Sequence, residues 1–168
     1  SAYIRVTGML PRLDPLRRLE EPSPLRYERR FHATAAGLTI ETSIIPVSNN
    51  VPPALFETFP LFLAETSRQT PSTIHLLNPS GWHPVLPEET AEEVQAIRVE
   101  RFSGGMEIRF EIPVHVEFSP RWTDGYQTAA RCLTARVVLP RTKDPLARSI
   151  LFLRTMIHPY HTNPTTGG

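Results

Sequence analysis

An all-β fold, an antiparallel β-sandwich with one or two short helices, is what this sequence predicts, and three observations predict it. From Met106 to Phe118 every even position (Met106, Ile108, Phe110, Ile112, Val114, Val116, Phe118) is apolar. The odd ones are Glu107, Arg109, Glu111, Pro113, His115 and Glu117. This strict period of two gives a strand one dry and one wet face. Second, the same alternation recurs in shorter segments bounded by turn residues. Third, proline is about twice as frequent as usual, with 18 residues spread along the chain, which suits strands joined by rigid turns.

The long strand would span roughly 43 Å at ~3.3 Å per residue, which implies a large, curved sheet. Pro113 lacks the N–H that a ladder needs, so a bulge or a sheet edge is expected at mid-length. Before it, Tyr3 to Thr7 reads as a short strand stopping at Gly8. Asp14-Pro15 then has the cap and first-turn pattern of a short helix reaching Glu20. Arg26–Thr34, the Ala35-Ala36-Gly37 turn and Leu38–Ile44 form a hairpin, in which Arg29 interrupts the apolar face. Ala54 to Leu63 is an apolar run punctuated by Pro60, read as a helical turn entering a buried strand. Thr73 to Leu77 is a strand, followed by a turn at Asn78-Pro79-Ser80-Gly81.

Pro87 to Glu93 has an acidic first turn after proline and reads as a brief exposed helix or a mobile acidic loop. Val94 to Phe102 pairs with the long strand through Ser103-Gly104-Gly105 as a second hairpin. Arg131 to Leu139 turns Leu133, Ala135, Val137 and Leu139 inward. Residues 145–157 suit a helix or a doubly buried strand, and the run of preceding strands favours strand. His158-Pro159 is expected to end it. The domain organisation read from the sequence is therefore a single sandwich over 1–157 and a flexible tail over 158–168.

With 168 residues the chain can bury a sizeable core without disulfides or metal. Basic and acidic residues number 18 and 17, almost all cations being arginine, and this balance points to neither a nucleic-acid nor a membrane partner. No apolar run approaches the ~20 residues of a membrane span. Cys132, alone, excludes an internal disulfide and leaves the compartment open. The abrupt Ser1-Ala2-Tyr3-Ile4 start suggests a piece of a longer polypeptide.

Glycine-rich phosphate loops, nucleophile elbows and zinc-helix motifs are absent from the sequence, and no cofactor or catalytic set is assigned. His158 and His161 lack a third ligand nearby, so no metal site is assigned either. His115, on the wet face beside Arg109, Glu111 and Glu117, would place an acid, a base and a cation along one groove. Cross-strand ion pairing accounts for the same residues. The most function-like segment is Arg121-Trp122-Thr123-Asp124-Gly125-Tyr126. Its aromatic platform, forked cation and carboxylate are groups that stack on sugar rings and bind their hydroxyls, so Arg121, Trp122, Asp124 and Tyr126 are the candidate carbohydrate-binding residues. Trp82-His83-Pro84 has a similar look with less polarity.

The hairpin Arg26-Tyr27-Glu28-Arg29-Arg30-Phe31 with Gly37-Leu38-Thr39-Ile40-Glu41-Thr42, the Glu57-Thr58-Phe59-Pro60-Leu61-Phe62-Leu63 run and the Arg101–Ile108 hairpin resemble the carboxy-terminal β-supersandwich region of heparinase-type polysaccharide lyases. The resemblance implies a secreted or periplasmic parent protein whose absent helical toroid provides most of the catalytic groups, none of which maps onto this chain. The expected role is then a non-catalytic domain of a larger carbohydrate-active protein, supporting or contacting polysaccharide. Two alternatives stay open: a self-assembling shell or appendage protein of jelly-roll type, compatible with a homo-oligomer, and a small enzyme around His115.

Overall fold

Period-two patterning is realised along most of the chain as one 12-stranded antiparallel sheet, with no helix among the described residues. The structure is a computed structural model that describes residues 1–13, 20–47, 55–64, 72–86, 88–101, 104–119, 122–123, 130–142 and 150–161. Its strands are β1 (Ala2–Leu13), β2 (Glu20–Thr34), β3 (Gly37–Pro46), β4 (Phe56–Ala64), β5 (Thr73–Asn78) and β6 (Gly81–Pro84). They continue with β7 (Thr90–Arg101), β8 (Gly104–Phe118), β9 (Trp122–Thr123), β10 (Ala130–Val138), β11 (Arg141–Thr142) and β12 (Ile150–His161).

The long strand β8 is the hinge of the architecture. Its first half, Gly104 to Phe110, pairs with β12, and its second half, Val116 to Phe118, pairs with β10. Pro113 sits in the gap between the two partners, where no ladder bond is demanded of it. The bend is marked on β7 too, since Ala96 faces Arg109 while Val94 faces Val114, leaving one residue against four. One limb then runs β1-β2-β3-β12-β8-β7-β5-β6, while β10 and β4 extend the other.

The second limb folds over the inner face of the first. Phe59 of β4 meets Phe110 of β8 with ring centroids 6.3 Å apart. Arg29, the residue that breaks the apolar face of β2, spans the layers: its guanidinium donates to both carboxylate oxygens of Glu57 on β4 at 2.6 and 2.7 Å and to the Thr42 hydroxyl at 3.3 Å. Leu61, Leu76, Ile97, Ile108, Leu133 and Leu153 lie between the limbs, each at most 2% exposed. Burial of each contributes about 1.5–3 kcal/mol.

Most sequence expectations match this arrangement. The two hairpins register Thr34 opposite Gly37 and Arg101 opposite Gly104. Leu133, Ala135, Val137 and Leu139 are buried as expected. Pro60 is tolerated in β4 because, among the described residues, that strand pairs with β10 alone.

Four expectations are corrected. The helix expected over Pro87–Glu93 is not formed, since β7 begins at Thr90; Ala91 and Val94 gain burial in the core, and so short an exposed helix has no comparable reward. Glu93, with φ 54°, falls within the bulge between Ala91 and Val94. The first strand does not stop at Gly8 but continues to Leu13, because the Tyr27 ring covers the glycine, 2.9 Å from where a Cβ would stand. The last strand does not end at His158-Pro159: Pro159, Tyr160 and His161 pair with Met106, Gly105 and Gly104, so the tail cannot start at 158. The dry and wet faces of β8 also have exceptions, as Ile112 at the bend is 45% exposed and Glu107 only 2% exposed. The other expected helix falls on residues 14–19, outside the described residues, and Glu20 already belongs to β2.

Candidate functional site

Alternation puts Arg5, Glu28, Arg30, Glu41, Arg154 and Glu111 on the outer face, away from the core, on five successive strands of the limb. They form a ladder of opposite charges: Arg5 to Glu28 at 2.7 Å, Glu28 to Arg30 at 2.6 Å, Arg30 to Glu41 at 3.8 Å, Glu41 to Arg154 at 2.6 Å and Arg154 to Glu111 at 2.8 Å. Arg5 and Arg30 hydrogen-bond the Glu28 carboxyl and hold it below the usual carboxylate range. Glu41 hydrogen-bonds Arg154 and raises the guanidinium above its ordinary value. Every cation in the row is already matched by a carboxylate, which makes the strip polar yet nearly neutral.

Beside this ladder runs a second cross-strand row, Tyr3–His32–Thr39–Met156, fixed by the registers of β1 with β2, β2 with β3 and β3 with β12. The two rows line a trough of about 530 Å³. Tyr3, 61% exposed, and Met156, 40% exposed, give it apolar surfaces. Arg30, Arg154 and Glu41 form one wall, and Thr39 and His32 contribute small polar groups. Its size suits a small-molecule segment, and it offers an aromatic face with fixed donors and acceptors.

Further along the same face, Arg98 of β7 is stacked between two rings, 3.9 Å from the Trp82 centroid and 4.4 Å from that of Tyr160. Its Nε and Nη2 donate to Glu107 Oε2 at 2.9 and 2.6 Å. Arg109 Nε meets the other oxygen, Oε1, and His158 Nε2 lies 3.4 Å from it. Burial alone would push the Glu107 carboxyl up, but the hydrogen bonds and charges of Arg98 and Arg109 outweigh it and hold the group below the usual carboxylate range. Burial, reinforced by Glu100, raises the Tyr160 phenol well above the ordinary tyrosine value. The surroundings thus favour the charged form of Glu107 and the neutral form of Tyr160.

The candidate residues of the sequence fare differently. Arg121, Asp124 and Tyr126 lie outside the described residues; Trp122 belongs to β9, opposite Cys132 of β10, with its side chain likewise outside them. The His115 group is divided. His115 Nδ1 is 2.6 Å from Glu92 and its Nε2 is 3.6 Å from Glu117, which also meets Arg136 at 3.2 Å. Arg109 instead reaches Glu107, and Glu111 reaches Arg154, both on the other side of the bend. His158 is engaged with Glu107 rather than turned toward His161, and no cluster of metal-ligating type occurs among the described residues. The trough and the stacked arginine are sites that the sequence reading missed, because each joins residues distant in the chain through strand order. Comparison with family models, with curated proteins and with solved structures gives no match.

Proposed function

We propose that this chain is a non-catalytic β-sandwich domain of a carbohydrate-active protein and holds a polysaccharide segment in the outer-face trough. The observation that carries the reading is the trough's composition: an exposed Tyr3 ring next to a fixed Arg30–Glu41–Arg154 set, with the Thr39 hydroxyl opposite. An aromatic face stacks on the apolar face of a sugar ring, while the guanidinium groups donate hydrogen bonds to its hydroxyl oxygens and the carboxylate accepts from its hydroxyls. Their mutual neutralisation favours a neutral, hydroxyl-rich chain over a strongly acidic one, which would have to displace Glu41 from Arg154. The resemblance to the supersandwich region of heparinase-type lyases supports a non-catalytic, polysaccharide-contacting role and not the choice of a neutral chain.

Isothermal calorimetry and affinity electrophoresis against neutral and acidic polysaccharides test the proposal. Tyr3→Ala is expected to weaken binding by about 5- to 30-fold, the equivalent of ~1–2 kcal/mol of stacking. Trp122→Ala in the same assay asks whether the Arg121–Tyr126 segment makes a second contact. Retention of neither kind of polysaccharide, or binding unaltered by Tyr3→Ala, would remove the trough from the account.

A further inference from the structure

We propose that two copies of this chain pair edge to edge through β1, antiparallel about a two-fold axis at Val6, so that their sheets become continuous. Strand β1 stands at the end of the strand order and, among the described residues, pairs with β2 alone. Its other edge carries main-chain groups ready to accept a strand. Among the described residues the other free edges are short or blunted: β9 and β11 have two residues each, β6 has four and ends in Pro84, and β4 has Pro60 at its centre. From Ala2 to Leu10 strand β1 has neither proline nor lysine, and its register with β2 is unbroken as far as Met9. Its one charge in that run, Arg5, is tied to Glu28.

The side chains of the strand point to the same occupant. Ile4, 60% exposed, and Val6, 39% exposed, project from the inner face, while Tyr3 and Met9, 61% and 44% exposed, project from the outer face. A partner must therefore cover apolar groups on both faces of one edge, which another strand does and a globular surface does not. The run Ala2 to Leu10 is centred on Val6. With the axis there, Val6 faces its own copy, Arg5 faces Thr7, Tyr3 faces Met9 and Ile4 faces Gly8, so like charges never meet. Ile4 of one copy then rests on the Tyr27 ring that covers Gly8 of the other. Moving the axis to Arg5 would set two guanidiniums opposite each other, which is unfavourable. Nine facing pairs add roughly eight to ten main-chain hydrogen bonds.

Sedimentation velocity on the whole chain over the micromolar range tests the pairing. A dimer is expected, and Val6→Lys should give a monomer with unchanged circular dichroism, because two ammonium groups would meet at the axis. Register is tested separately in a Cys132→Ser background. Val6→Cys should cross-link on mild oxidation, as Cα atoms of a facing pair lie about 4.5–5.5 Å apart. Ile4→Cys should not, its copies being roughly 13 Å apart along the strand. A wild-type chain that stays monomeric, a Val6→Lys dimer, or cross-linking as ready through Ile4→Cys as through Val6→Cys would each overturn the proposal. Because Tyr3 lines the trough and also faces Met9 across the pairing, polysaccharide retention is measured on Val6→Lys as well: loss of the dimer with retention kept separates the two proposals.

Discussion

Replacing Glu107 by glutamine should lower stability at neutral pH by about 2–3 kcal/mol, measured as a loss in urea unfolding free energy with an unchanged slope. Glu107 is 2% exposed, accepts two hydrogen bonds from Arg98, pairs with Arg109, and has His158 3.4 Å away. Glutamine keeps the volume but removes the charge and turns an amide N–H₂ toward guanidinium donors, leaving Arg109 without its Glu107 anion and Arg98 with only Glu100, 3.7 Å away. Breaking a fully buried pair costs about 3–5 kcal/mol. The smaller figure here follows from the arginines themselves, whose side chains are 24% and 44% exposed and recover part of their hydration.

The same substitution should change the pH dependence of stability. Because the Glu107 carboxyl is held below its ordinary range in the folded state, its contribution is fully present above the unfolded value of about 4.3. It is lost as pH falls through the lower folded value. The part of the difference between wild type and Glu107→Gln that comes from the carboxyl should therefore be kept down to about pH 5 and shrink below pH 4. Taking the difference cancels the parallel acid loss from Glu28, which is also held low. A gap that stays constant into strong acid would mean that the ion cluster contributes nothing through its charge.

How much of this could be read from the sequence depends on the distance over which each feature is encoded. Alternation along β8 is local, so its faces and the interruption at Pro113 were legible, as were the two hairpins, whose turns are local too. Bending direction was not: Ile112 occupies a dry position in the pattern yet is exposed, because the strand changes partner around it. Glu107 occupies a wet position yet is buried, because Arg98 of β7, Trp82 of β6 and Tyr160 of β12 close over that part of the face. Gly8 and Pro159 read as strand breakers, and each is accommodated by something outside its own segment: the Tyr27 ring in one case, and in the other the end of β3 pairing at Ile157. The trough is the extreme instance. Thr39 and Met156 are neighbours only because β12 returns beside β3, a fact of strand order that no local period records.

That β3–β12 seam is also where the largest single loss of stability is expected, from Gly37→Ala, at about 3–4 kcal/mol as two costs added together. Gly37 has φ +148°, outside the comfortable range of a residue with a Cβ, and an ideal Cβ there would stand 2.3 Å from the Ile157 carbonyl oxygen and 3.0 Å from the His158 Cβ. The obstacle is backbone of the adjacent strand, so relief requires β3 and β12 to separate rather than a side chain to rotate. Gly81→Ala separates the two costs, since Gly81 has φ +109° but open space around its Cβ position. It should lose only the conformational part, about 1–2 kcal/mol. Because Thr39 and Met156 face each other a short way along the same seam, Gly37→Ala should also widen the trough and weaken polysaccharide retention, whereas Gly81→Ala should leave retention unchanged. Urea midpoints and affinity electrophoresis on the two variants check both halves. Equal destabilisation by the two would show that the seam yields easily, and that the fixed spacing of Tyr3, Thr39 and Met156 is not what the trough depends on.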